Sequence, residues 1–242
     1  MINAIPPLKT ESLVDLFIKR FEELIISGKI SIGQKLPPER ELAFQLGVSR
    51  PVVHEGLVEL EVRGLVKIKP RAGVVVSDFR REGSLALLNS LVSYSGPMLA
   101  PDILDSVLKM RVLFETETAR LAAMNRSEQN LMEFNELIEN EKNTDFSNTS
   151  RIVSLDFSFH LLTAVSSGNL VYPLLMNSFR DLYTSLTGKF FQEKSVIEFV
   201  FFSHAEFVKA LTNRNQSAAV KIMQSIMEHG ESNLRRSLID KK

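Results

Sequence analysis

Over the first third of the chain, apolar residues recur first at helical spacing and then at strand spacing. Leu13, Leu16, Phe17, Phe21, Leu24 and Ile25 mark one amphipathic helix between Lys9 and Ser27, and Gly28 stops it. Gly33 and Pro37-Pro38 turn the chain into a second helix, ERELAFQLG, with Pro38 near its first turn and Gly47 at its end. Ser49 is placed to cap a third helix with Pro51 in its first turn. Val53, Leu57 and Leu60 line one face of that helix at i, i+4 and i+7, and Gly64 ends it. Leu65 to Lys69 and Val74 to Ser77 then read as two short strands around Pro70-Arg71-Ala72-Gly73. Three helices and a hairpin predict a winged helix-turn-helix over residues 1–78.

Beyond Ser77 the pattern is helical throughout. Residues 79–242 contain three prolines, Pro97, Pro101 and Pro173, and no competing strand pattern. Helices are expected at about 80–93, 102–124, 128–142, 149–167, 169–191, 194–213 and 215–238, broken by runs such as Ser95-Gly96-Pro97 and Ser166-Ser167-Gly168. The expected fold is mainly α: an N-terminal winged helix-turn-helix followed by an all-helical bundle of about seven helices over 79–242.

Composition narrows the classes. The 242 residues are 44% hydrophobic and 24% charged, as an ordinary globular protein is, and their number suits two domains. There is no Cys, which excludes disulfides, thiolate metal sites and a Cys nucleophile and suits a reducing cytoplasm. No apolar run reaches the roughly 20 residues that span a bilayer, and MINAIPPLKT holds no export-signal core. The 29 basic and 29 acidic residues cancel, so only their placement informs. Between residues 63 and 81 lie Arg63, Lys67, Lys69, Arg71, Arg80 and Arg81 against Asp78, which puts local basic charge at the hairpin.

The segment PPERELAFQLGVSRPVVHEGLVELEVRGLVKIKPRAGVVV resembles the GntR family of bacterial transcription regulators. The likeness runs without a gap over about residues 10–77 and implies a DNA-reading head. By that resemblance Arg40, Arg50 and the wing residue Arg71 contact DNA, with Lys35 and Ser49 as phosphate contacts. Arg50 opens the third helix, the end that enters a major groove. The family's VREAL stands here as Val53-His54-Glu55-Gly56-Leu57. His54 replaces an arginine as a weaker DNA contact. Gly56 replaces an alanine and is expected to weaken the helix by about 0.5–1 kcal/mol. Val52 stands where a threonine hydroxyl is common.

Three of the four histidines fall in the helical half, on separate helices: His160, His204 and His229. Asp156 and His160 are i, i+4 and share a helix face. One carboxylate and three imidazoles suit Zn²⁺, Ni²⁺, Mn²⁺ or Fe²⁺, but core histidines with ordinary hydrogen bonds fit the spacing as well. The half is similar to the FCD domain of the FadR subfamily, through Arg111 and Glu115 followed by Ala122-Ala123, then Asp156-Phe-Ser-Phe159-His160, Gly168-Asn169, His204 and His229. That resemblance implies a divalent metal, zinc first, held by Asp156, His160, His204 and His229. It also implies a homodimer, an inverted-repeat operator and a small organic acid that modulates DNA affinity, with repression the usual outcome. Arg111 would anchor the acid's carboxylate, or simply pair with Glu115; Asn169 and Arg180 would line the same cavity, or Asn169 would cap a helix. A purely structural metal is the alternative. A metalloenzyme is a distant third, because no HExxH and no placed general base is present.

Overall fold

A computed structural model describes residues 11–87 and 101–239, with side chains over 11–87 and 103–236. The chain forms two compact units, Met1–Pro97 and Met98–Lys242.

In the first unit α1 (Leu13–Ile26) starts where the Ser12 hydroxyl accepts from the Asp15 backbone N–H. It buries Phe17, Ile18, Phe21 and Ile25, a stripe at near-helical period. α2 (Glu39–Leu46) follows Pro38 and ends at Gly47, whose φ of 66° is the left-handed conformation that glycine adopts at least cost. α3 (Arg50–Val62) follows Ser49 and buries Val53, Gly56, Leu57 and Leu60 against α1. The wing is an antiparallel pair, β1 (Val66–Lys69) and β2 (Gly73–Val76), in register Val66 with Val76 and Lys69 with Gly73. A further bridge joins Lys35 to Val75, so the segment ahead of α2 lies along the wing. The Leu36 N–H donates to the Val74 carbonyl and the Val76 N–H to the Gln34 carbonyl, each at 2.9 Å.

The helix expected at 80–93 begins as a single turn, α4 (Phe79–Glu82), that stops before Gly83; residues 88–93 lie outside the described residues, as does the break at Ser95-Gly96-Pro97. The second unit contains α5 (Pro101–Asn125), α6 (Glu128–Lys142), α7 (Thr149–Ser166), α8 (Tyr172–Ser178), α9 (Arg180–Phe190), α10 (Lys194–Thr212) and α11 (Gln216–Ile239). The helix expected over 169–191 is two. Pro173 sits in the first turn of α8, and the chain breaks at Phe179, whose N–H is shared between the Leu175 and Met176 carbonyls. The main core joins Ala119, Ala122 and Ala123 of α5 with Phe134, Phe159, Phe207, Leu211 and Met223. Alanines on α5 allow close helix approach, and the phenylalanines fill the space with edge-to-face contacts. Among the described residues no helix is long and apolar enough to cross a membrane.

Candidate metal centre and candidate DNA-reading groove

α7 runs through the middle of the helical unit and buries residues on most of its circumference. Asp156 and His160, one turn apart on it, are 2% and 3% exposed. His204 of α10 is fully buried and stacks on Phe159, with ring centroids 3.6 Å apart. That stack carries His204 to the face of α7 that holds Asp156 and His160. The candidate donor atoms of the three all lie within 4.8 Å of one another.

Their orientation is imposed from behind. His204 Nδ1 lies 2.7 Å from Glu141 Oε1. A carboxylate only accepts, so Nδ1 carries the proton and Nε2 presents its lone pair. His160 Nδ1 likewise abuts the Glu115 carboxylate. Both Nε2 atoms then face one oxygen, Asp156 Oδ1, at 3.7 Å from His160 and 3.8 Å from His204. Those distances exceed a hydrogen bond, and both buried Nε2 atoms lack a hydrogen-bond partner. They are only slightly wider than the roughly 3.4 Å between two ligands on a tetrahedral ion with bonds of about 2.1 Å. The other Asp156 oxygen accepts from the Tyr183 hydroxyl at 2.6 Å. Orphaned imidazole lone pairs converging on a fixed carboxylate, each backed by a carboxylate, fit a divalent ion of zinc type.

His229 stands outside this group. It stacks on Phe199 with centroids 4.0 Å apart, and its buried Nε2 also lacks a partner. Burial and the Arg236 charge hold its pKa below the usual histidine value.

Arg111 Nε donates to Glu115 Oε1 at 2.7 Å, and the guanidinium lies 4.4 Å from the Tyr183 ring centroid. Burial pushes the Glu115 pKa up, but the Arg111 and His160 charges outweigh it and hold the carboxyl at about 2. Burial likewise pushes His160 down, and Glu115 reverses the direction, leaving it raised. Arg111, Asp156 and His160 line one cavity of about 20 Å³. Asn169 and Arg180 are not among its lining residues. Asn169 Oδ1 accepts from the Val171 and Tyr172 N–H groups and shapes the turn ahead of α8, whose N-cap position is Val171. Arg180 lies over the Phe157 ring at 4.1 Å and donates to Asn177.

Glu141 and Tyr183 escaped the sequence reading. Glu141 had a signal: Leu131, Phe134, Ile138 and Glu141 are the buried face of α6, so a carboxylate ends an apolar stripe. Tyr183 had none, because its partner is 27 residues away.

In the first unit Lys35, Arg40, Arg50, Lys69 and Arg71 line one open groove of about 520 Å³ between the start of α2, the start of α3 and the wing. All five are exposed, and among the described residues none has an ion-pair partner. Glycine suits position 73, whose φ of 94° is a backbone conformation that side-chain-bearing residues rarely adopt. Arg71 at the wing tip has φ 60°, a left-handed conformation uncommon for a side-chain-bearing residue. Ser49 holds the capping position of α3, yet its hydroxyl makes no capping hydrogen bond. His54 is exposed and bound to Glu39, Nδ1 to Oε1 at 2.9 Å, tying α3 to the start of α2. Gly56 acquires a packing reason: a Cβ there would lie 2.3 Å from Phe17 Cδ1.

A winged helix-turn-helix with a basic groove, ahead of a helical domain, defines the class of a helix-turn-helix transcription regulator. Residues 18–76 match the bacterial regulatory proteins of the gntR family, and residues 77–237 match the FadR C-terminal domain. The chain belongs to the GntR family, with a FadR-type C-terminal domain, and is a transcription regulator of that type. It is 28% identical to the HTH-type transcriptional regulator Mce2R of Mycobacterium tuberculosis over 240 residues, 98% of this chain and 97% of that one. It is 31% identical to the Glc operon transcriptional activator of Escherichia coli over 175 residues, 70% and 66% of the two chains. The fold is shared with the Listeria monocytogenes regulator Lar, with a TM-score of 0.64 over 95% of this chain and 99% of that one at 16% identity.

Proposed function

We propose that the protein is a ligand-responsive regulator that binds an inverted-repeat operator as a homodimer and releases it when a small organic acid binds beside a metal ion. The observation that carries the reading is the groove that gathers Lys35, Arg40, Arg50 and Arg71, none of them in an ion pair among the described residues, while Glu39 in the same groove is bound to His54. Unpaired exposed cations flanking the start of a third helix suit phosphates and guanine edges. Ser49, with its uncommitted hydroxyl, and His54 on the next turn extend that surface. Two such heads in a two-fold dimer read half-sites about one helical turn apart.

In the helical unit Asp156, His160 and His204 would hold the ion, and zinc suits the donors best, with nickel, manganese or iron also compatible. When bound, the ion supplies a Lewis-acidic point for a carboxylate. His229 is proposed as a further ligand: its Nε2 is unpaired, and the next residue, Gly230, lines the same cavity. Arg111 lines the same cavity, spends only Nε on Glu115, and is the proposed second anchor. Tyr183 keeps Asp156 in place, while Glu115 and Glu141 fix the two imidazoles. The effector shifts DNA affinity only by binding the two helical arrangements unequally. A second reading, a purely structural ion, is favoured by the small cavity, about 20 Å³. In that case a chelator lowers thermal stability and leaves DNA release by acids unchanged.

The test uses genomic fragments captured by the full chain. The enriched sites are expected to share an inverted repeat, and Arg50→Ala is expected to lower affinity at least tenfold. Unchanged affinity in Arg50→Ala overturns the assigned reading head.

A further inference from the structure

The polar residues lining the metal-side cavity are Arg111, Asp156, His160, Tyr183 and Thr187, and only His160 and Arg111 among them keep nitrogens without a hydrogen bond. Asp156 accepts from Tyr183 and faces the two imidazoles. The Thr187 hydroxyl donates to the Tyr183 carbonyl at 2.9 Å. Arg111 spends Nε on Glu115, and among the described residues its two terminal nitrogens have no hydrogen bond. The remaining wall is side chains without donors or acceptors: Leu108, Leu186, Phe190, Val200, Ile226 and Met227. A second cavity, also about 20 Å³, shares Arg111, Tyr183 and Leu186 and adds Met110, Phe114 and Met176, with Glu115, already paired with Arg111, as its further polar residue.

Each cavity has room for roughly one water, so an occupant larger than that displaces wall atoms. The wall is suited to yielding. Met110, Met176 and Met227 are unbranched and repack at low cost. Gly230 stands mid-helix at the edge of the first cavity, and a Cβ built on it meets nothing within 4 Å.

We infer that the acid sensed here is a monocarboxylate with an apolar, unhydroxylated body, whose head lies between Arg111 and the Asp156–His160–His204 cluster and whose body lies against Phe190, Val200, Ile226 and Met227. This rests on the carboxylate-sensing reading above and goes beyond it by fixing the chemical class. A sugar acid or hydroxy-dicarboxylate would bury hydroxyls against that wall with no partners, which weakens binding by roughly tenfold per hydroxyl. Each methylene buried there instead tightens binding by about fourfold.

The test is calorimetric titration of the zinc-loaded full chain with straight-chain monocarboxylates from acetate to octanoate, and with gluconate and malate. Affinity is expected to rise about fourfold per carbon until the wall is filled, with hexanoate at least a hundredfold tighter than gluconate. Gluconate or malate binding as tightly as hexanoate overturns the apolar class and leaves the carboxylate sensor standing. Failure of every acid, acetate included, overturns the sensor reading itself. Gly230→Leu, which extends into the open edge, is expected to weaken hexanoate at least tenfold while zinc and acetate still bind. Met227→Ala tests the same wall in the other direction and is expected to move the preferred acid to a longer chain. Hexanoate affinity unchanged in both variants places the body elsewhere and overturns the proposal.

Discussion

In the N-terminal unit five cations, Lys35, Arg40, Arg50, Lys69 and Arg71, stand exposed around an open groove. In the C-terminal unit Asp156, His160 and His204 are almost fully buried, and so are Glu115 and Glu141 behind them. The groove's charges face water and salt, act nearly independently, and wait for a partner that brings the opposite sign. The buried charges cannot wait. Each is costly unless neighbours compensate it, so they form a linked set in which Arg111 pairs with Glu115, Glu115 abuts His160, and Glu141 orients His204. The groove is therefore tuned by adding or removing single charges, whereas the buried site stands or falls as a unit.

The largest expected effect comes from cutting that set. Glu115→Ala leaves Arg111 and His160 buried without their carboxylate and is expected to cost about 3–5 kcal/mol. Urea denaturation reads this directly, with the exposed Glu59→Ala as its counterpart and a loss of less than about 0.5 kcal/mol expected there. Equal losses in the two variants would break the contrast between buried and exposed charge.

Zinc comes next. Free zinc at a hundred times its dissociation constant is expected to add about 2.7 kcal/mol of stability. His204→Ala should abolish the accompanying rise in melting temperature. Glu141→Gln should keep it while weakening zinc by about 10- to 100-fold, because it disturbs only the support behind His204. A melting temperature indifferent to zinc in the unaltered chain would remove the metal centre from the comparison.

Gly56→Ala is a smaller test, inside the reading head. Alanine adds helix propensity worth about 0.5–1 kcal/mol, but its Cβ meets the Phe17 ring, which is itself stacked on Phe21. Overpacking costs about 1–3 kcal/mol, so the net expectation is destabilisation by about 1 kcal/mol, measured by thermal or urea unfolding. A stabilised variant would show that α1 yields more easily than the packing indicates.

The smallest effect on the fold belongs to Arg71→Ala. Its stability should not change measurably, while the salt dependence of DNA binding loses about one ion from its slope. Titrations at three salt concentrations measure this. A slope unchanged from the parent would take the wing tip out of the interface.

The reading head was legible because its signals are local. Ser49 and Pro51 mark the start of α3, Gly47 supplies the left-handed turn before it, and the alternation in Val74 and Val76 marks the wing. The Gly56 departure was legible as a departure, and its meaning was not: the penalty expected from backbone entropy is countered by a contact with a residue 39 positions earlier. In the helical unit the Asp156 and His160 pair follows from helical spacing alone. Glu141 was within reach as a carboxylate on an apolar stripe, whereas the break at Phe179 had no proline or glycine to announce it.

By itself the sequence determined most of the helices, the wing and the residue types able to hold an ion or a phosphate, because these depend on neighbours within a turn or two. Tertiary structure alone decided which of those residues meet. Stacking on Phe159 brought His204 to Asp156 and His160, stacking on Phe199 set the His229 ring, and a bridge to Val75 carried Lys35 to the wing. Each outcome depends on how one helix or strand is set against another. That is fixed by side-chain packing between distant segments, which local periodicity does not encode.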